Sequence, residues 1–182
     1  MKTLLFGIAR PFAAAALAAS LCSSVIAQTP PPDHPQGDAA ADAGLSHHDR
    51  VFFKKAATAG AKEIAVSQAV MDNLLNMQVK AFAQTMVTDH TAVAKQLATL
   101  AAAKGVTLPP PDTSVADDWS KKTGDLDGKY VKEMVADHLG AVKLFENASK
   151  SADLDIAAFA QKTLPILQHH LMMAQDLAKT VN

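Results

Sequence analysis

From about His47 to Thr180, apolar residues recur at three- and four-residue steps, and no segment shows sustained alternation. That spacing places them on one face of an α-helix and leaves nothing to line a half-buried strand, so the fold class is all-α. Alanine fills many remaining positions, which favours helix and lets helices approach closely. Four long helices follow. The first spans about His47 to Leu75, with Ser46 and Asp49 spaced as a capping pair and an inward stripe of Phe52, Ala56, Ala59, Glu63, Val66 and Val70. The second starts after Asn76, carries Val79, Phe82, Met86, His90, Val93, Leu97 and Leu100, and ends at Gly105.

A long connection, Val106 to Gly128, carries three successive prolines and a short helix around Val115 to Lys122 with Trp119. The third helix runs from about Asp127 to Lys150, its stripe Val131, Met134, His138, Ala141 and Phe145. The fourth begins near Asp153 or Asp155 and ends near Thr180, with Ile156, Phe159, Thr163, Leu167, His170, Ala174 and Leu177 inward. Pro165 removes a backbone donor inside it, so a kink is expected there. Two helical hairpins joined by one long connection between helices 2 and 3 is the connectivity of a ferritin-like four-helix bundle. A connection that only wraps one end of the bundle fits the same sequence.

Each inward stripe is interrupted by one ionisable residue: Glu63, His90, His138 and His170. The two central histidines sit in a repeated pattern, Met86-Val87-Thr88-Asp89-His90 and Met134-Val135-Ala136-Asp137-His138. At about 1.5 Å of rise per residue, Glu63 and His90 fall within about one turn of each other, while His138 and His170 miss by roughly a turn. Buried polar groups need a hydrogen-bond partner, a counter-charge or a metal. Three imidazoles and one carboxylate suit zinc, copper or iron. Asp89 and Asp137 lie near the helix seams, where they can accept the second ring N–H of a histidine. The alternative is a metal-free structural or interaction module, whose buried Asp–His network only fixes the bundle.

The dinuclear iron pattern is missing. It places a glutamate three residues before the histidine, where this chain has Val87 and Leu167. Met86, Met134 and Met173 lie one turn from the histidines and offer a thioether set for monovalent copper; as core residues they simply fill gaps. His47 and His48 start the first helix, His34 lies in the preceding tail, and His169 points off the stripe. No glycine-flanked serine or phosphate-cradling loop is present, and the single cysteine, Cys22, precedes the helical region. No catalytic residue is assigned.

Residues 1–27 read as a signal peptide, with Lys2 and Arg10 before an Ala/Leu-rich run and a cleavage position after Ala27. Lipoprotein processing at Cys22 is the alternative, for which Leu21 is a poor fit. Residues 28–46 form a disordered Pro/Ala/Asp-rich spacer, and 47–182 the bundle domain. The net charge is −1 over 182 residues, with acids and bases interspersed. Without a basic stripe, nucleic acid is not expected as a partner, nor is membrane insertion once the leader is removed.

The chain resembles a family of exported bacterial proteins, domain of unknown function 4142, often labelled predicted outer-membrane proteins and assigned a ferritin-like fold. The resemblance covers about Asp49 to Leu177. It rests on Asp49, Phe52, Ala56 and Glu63, on Val79 to Ala83 leading to Met86 to His90, on Tyr130 before Asp137-His138, and on Leu164-Pro165 before His170-Leu171. Leu126 stands where such proteins often carry phenylalanine, a packing change. The resemblance implies an exported, periplasmic four-helix bundle, peripherally associated with the outer membrane at most, with no settled activity. Alternating strands for a membrane barrel are absent from the sequence.

Overall fold

A computed structural model describes residues 44–112 and 114–181. The expected signal peptide and most of the spacer lie outside the described residues. Five helices are present, α1 (His47–Val70), α2 (Met77–Ala103), α3 (Ser114–Ser120), α4 (Leu126–Ala148) and α5 (Leu154–Ala178), with no strand among the described residues. The regular structure of the described residues is all helical, as the three- and four-residue periodicity requires.

Local chemistry sets the helix ends. Ser46 and Asp49 form a reciprocal capping box at α1, and Asn76 accepts from the backbone of Gln78 and Val79 at α2. Gly105, at φ 67°, takes the left-handed conformation that follows α2. Two boundaries differ from expectation. The first helix stops at Val70, followed by a short 3₁₀ turn over Met71–Asn73, rather than reaching Leu75. The Asp127 carboxylate accepts from the N–H groups of Leu75 and Asn76 at 3.1 and 3.0 Å, which holds this stretch out of the helix. Helix α4 accordingly begins one residue early: Asp125, not Asp127, is its N-cap and accepts from Gly128 N at 2.9 Å. Helix α5 continues through Pro165.

Helix α1 packs on α2 and α4, and α5 on α4 and α2, while the short α3 lies on α1. End-to-end bonds give the directions. Ser151 Oγ donates to Asp49 Oδ1 at 2.7 Å, joining the start of α1 to the end of α4. Lys104 bridges Asp153 and Asp155, each at 2.7 Å, joining the end of α2 to the start of α5. The Asp127 bonds join the start of α4 to the α1–α2 turn at the other end. The connection carrying α3 therefore travels the length of the helices.

The core divides into two apolar clusters. One holds Val66, Val79, Phe82, Met86, Tyr130 and Met134; the other holds Phe52, Phe53, Leu97, Phe145, Ile156 and Leu167. Most stripe positions are buried, though Ala59, Val93, Leu100, Phe159 and Leu177 are only half-buried, and Phe53 and Ser67 are buried in addition. Between the clusters lies a polar layer.

Candidate metal centre

The polar layer brings together all four ionisable stripe residues: Glu63, His90, His138 and His170 are each buried, at 4 % exposure or less. The three imidazole centroids lie 5.2–5.5 Å apart, pair by pair. The one-turn mismatch estimated for His138 and His170 closes because Cα–Cβ bonds tilt toward a helix's own N-terminus. In an antiparallel pair these tilts are opposed, so His138 leans away from the intervening turn and His170 leans toward it.

Two of the rings spend one nitrogen on a hydrogen bond, and the third sets one beside a carboxyl group. His138 Nδ1 donates to the Met134 carbonyl at 2.9 Å, and His170 Nε2 to Asp89 Oδ2 at 2.9 Å. His90 Nδ1 lies 3.1 Å from Glu63 Oε2, and the other carboxylate oxygen lies 3.6 Å from His138 Nδ1. The remaining ring nitrogens, His90 Nε2, His138 Nε2 and His170 Nδ1, are buried without a partner. One nitrogen from each of the three rings lies within 4.8 Å of the other two. Three buried imidazoles from three helices can hold a metal ion.

Glu63 meets His90 and His138 on their Nδ1 sides, and the cluster of ring nitrogens is formed by the three histidines. Asp89 Oδ2 faces His170 Nε2, whereas Asp137 Oδ1 accepts from Lys62 at 2.9 Å, and Lys62 also donates to Glu133 at 2.6 Å, a bridge from α1 to α4. Met86 and Met134 lie fully buried in the first apolar cluster, and Met173 packs partly buried against it, which is the gap-filling placement. His47, His48 and His169 are exposed, and His34 lies outside the described residues.

Electrostatics keeps the layer uncharged. Burial, reinforced by His138 and His170, pushes His90 down to about 3. Burial takes His138 to about 4 against its bond to Met134. His170 is lowered by burial, partly offset by Asp89. The rings are therefore neutral near pH 7, each with one N–H and one lone pair. Burial, together with the charge of Asp137 and against that of Lys62, raises Glu63 to about 8. Glu63 therefore holds a proton near pH 7 and faces a neutral His90.

Sequence reasoning missed Lys62, whose signal was a lysine next to an inward glutamate, and Gly60, a glycine in a helix interior where alanine is preferred. A Cβ added at Gly60 would meet only His90 Nδ1, at 4.0 Å. The buried Ser67–Tyr130 hydroxyl pair, 2.7 Å apart, was also missed.

The family model described as domain of unknown function (DUF4142) matches residues 34–177, and the chain belongs to that family. No curated protein matches the chain. Among solved structures, the crystal structure of a DUF305 fragment from Deinococcus radiodurans superposes with a TM-score of 0.64 at 10 % identity, covering 74 % of this chain and 97 % of that one. At that identity the likeness concerns the fold alone. Among the described residues, no helix is long and apolar enough to cross a membrane.

Proposed function

We propose that this DUF4142 protein is an exported, periplasmic bundle of ferritin-like connectivity that holds one transition-metal ion on His90, His138 and His170. Its role is metal handling or protection against metal stress. The observation that carries this reading is the set of three buried ring nitrogens left without partners, two of them opposite a nitrogen already committed to an acceptor and the third opposite a nitrogen 3.1 Å from Glu63. That division of labour, one nitrogen oriented by protein and one lone pair free, is how histidine ligands are prepared. Three neutral imidazoles suit zinc or copper and leave coordination positions for a small exogenous ligand. With a cation at Nε2, His90 keeps its proton on Nδ1 and Glu63 serves as the accepting carboxylate. The missing glutamates argue against a dinuclear iron oxidase. The ferritin-like assignment is supported by the two antiparallel hairpins and the connection that runs the length of the helices. Export is supported by the charged and then apolar leader, and outer-membrane association, if any, is peripheral.

The test is metal titration of chelator-treated full chain, read by elemental analysis and melting. One equivalent of zinc or copper should bind and raise stability by about 3 kcal/mol at a hundredfold excess over Kd. The double variant His90→Ala/His138→Ala should lose the equivalent. Asp89→Ala, at a side chain reaching the surface, should keep the fold and weaken binding about tenfold. Full occupancy in the double variant would refute the assignment. A metal-free network is the competing reading, favoured by the hydrogen bonds that His138 and His170 already make, but it leaves the three buried ring nitrogens unpartnered.

A further inference from the structure

A cavity of about 440 Å³ lies along the α1–α2 seam. Its walls are apolar and mostly small: Ala57, Gly60 and Ile64 from α1, Val93 and Ala94 from α2, with Leu108 and Pro109 of the α2–α3 connection. The ionisable residues in its lining are Glu63 and His90. Each is almost wholly buried, and the His90 atom nearest Gly60 is Nδ1, which lies 3.1 Å from the Glu63 carboxyl. Gly60 sets bare backbone beside the His90 ring, where an added Cβ would meet only Nδ1, at 4.0 Å.

From this arrangement we propose that the cavity binds a small, uncharged apolar molecule with a single hydroxyl, its body against the alanines and its head toward Glu63 and His90. The volume is that of a small-molecule site, and apolar walls with a few convergent polar groups are the usual composition of one. A hydroxyl both donates and accepts, so it can pair with the carboxyl and the imidazole together. A carboxylate head would be desolvated among apolar walls whose lining includes no lysine or arginine, and a head without polar atoms would leave both groups unpaired. The inference does not rest on the metal reading, because chelator-treated protein presents the same cavity.

The test uses the full chain after chelation, with 1-naphthol as the probe and naphthalene and 1-naphthoate as comparators, followed by their fluorescence. One equivalent of 1-naphthol should bind, with naphthalene and naphthoate each about tenfold weaker or worse. Ala94→Leu fills the cavity away from the histidines and should weaken 1-naphthol by at least about tenfold, with an unchanged helical circular dichroism spectrum. Should that variant not fold, Ala57→Leu poses the same question from the opposite wall. Equal affinity for naphthalene, a preference for naphthoate, no binding of 1-naphthol, or binding indifferent to a folded plugging variant would each overturn the proposal. Loss of zinc binding in the parallel titration would leave it standing.

Discussion

The two ends of the bundle are made by the same four helices and solve the packing problem differently. Below the histidine layer, Val66, Val70, Val79, Met86, Tyr130 and Met134 are all fully buried, and Trp119 of α3 stacks edge-on to Tyr130. Above it, Phe52 packs edge-on to both Phe145 and Phe159, but the adjacent α1 and α2 faces are largely alanine and border the cavity. Large side chains meeting large side chains close one end. Small side chains on the seam leave space at the other. The polar layer sits at the border, so His90 has tight packing on one side and a void on the other.

Helix α2 offers the sharpest comparison, because Met86 and Leu97 lie on either side of His90 and are buried to 0 and 2 %. Removing either side chain loses similar transfer free energy, so the difference comes from how many neighbours lose contacts. Met86→Ala opens a new void in a filled cluster and should cost about 4 kcal/mol, while Leu97→Ala enlarges an existing cavity and should cost about 2 to 3 kcal/mol. Chemical denaturation of the two variants measures the gap. Equal losses would mean that the ends are packed alike.

A second, pH-dependent difference belongs to the closed end alone. Tyr130, the sole tyrosine, is buried and shares a hydrogen bond with Ser67. Burial, together with the charge of Glu63, raises its phenol well above the ordinary value, against the Ser67 bond. The folded state thus keeps a proton that the unfolded chain releases above about pH 10. The phenol's contribution is fully present below that pH and is lost as pH rises, by about 1.4 kcal/mol per pH unit. Tyr130→Phe should lack this component, and the difference between the two alkaline stability curves isolates it from the lysines. Because the residue is unique, the tyrosinate absorption band should grow only with unfolding. If it titrates in the native protein near pH 10, the closed end is not closed to water.

Period and caps carried most of the fold. Ser46, Asp49, Asn76 and Gly105 act as helix punctuation in isolation, and all four residues that broke the apolar stripes converge on one layer. What could not be read locally was long-range. Asp127 looked like a helix opener and instead ties the α1–α2 turn, because its partners are more than fifty positions away in sequence. The roles within the site were mixed for the same reason: whether a carboxylate faces a ring nitrogen or a lysine depends on side-chain direction across a seam. So Glu63 meets His90 and His138 on their Nδ1 sides, and Asp137 faces Lys62 where Asp89 faces His170. The cavity had no signature beyond alanines on adjoining faces, which equally describe close packing.

The smallest effects turn on two glycines, one at each end of the comparison, and they should differ in sign. Gly60 lies inside α1, and a Cβ there would reach only His90 Nδ1, at ordinary contact distance. Gly60→Ala gains helix propensity and should stabilise by about 0.5 to 1 kcal/mol. Gly128 lies in the first turn of α4, where a Cβ would collide with the Asp125 carboxylate and crowd the Val181 carbonyl at 3.1 Å. The Asp125 side chain is the cap of that helix, so Gly128→Ala displaces it and should cost about 1 kcal/mol. Paired melting curves decide the matter. A destabilising Gly60→Ala would mean that the space beside His90 is filled, and it would remove the physical basis of the contrast between the two ends.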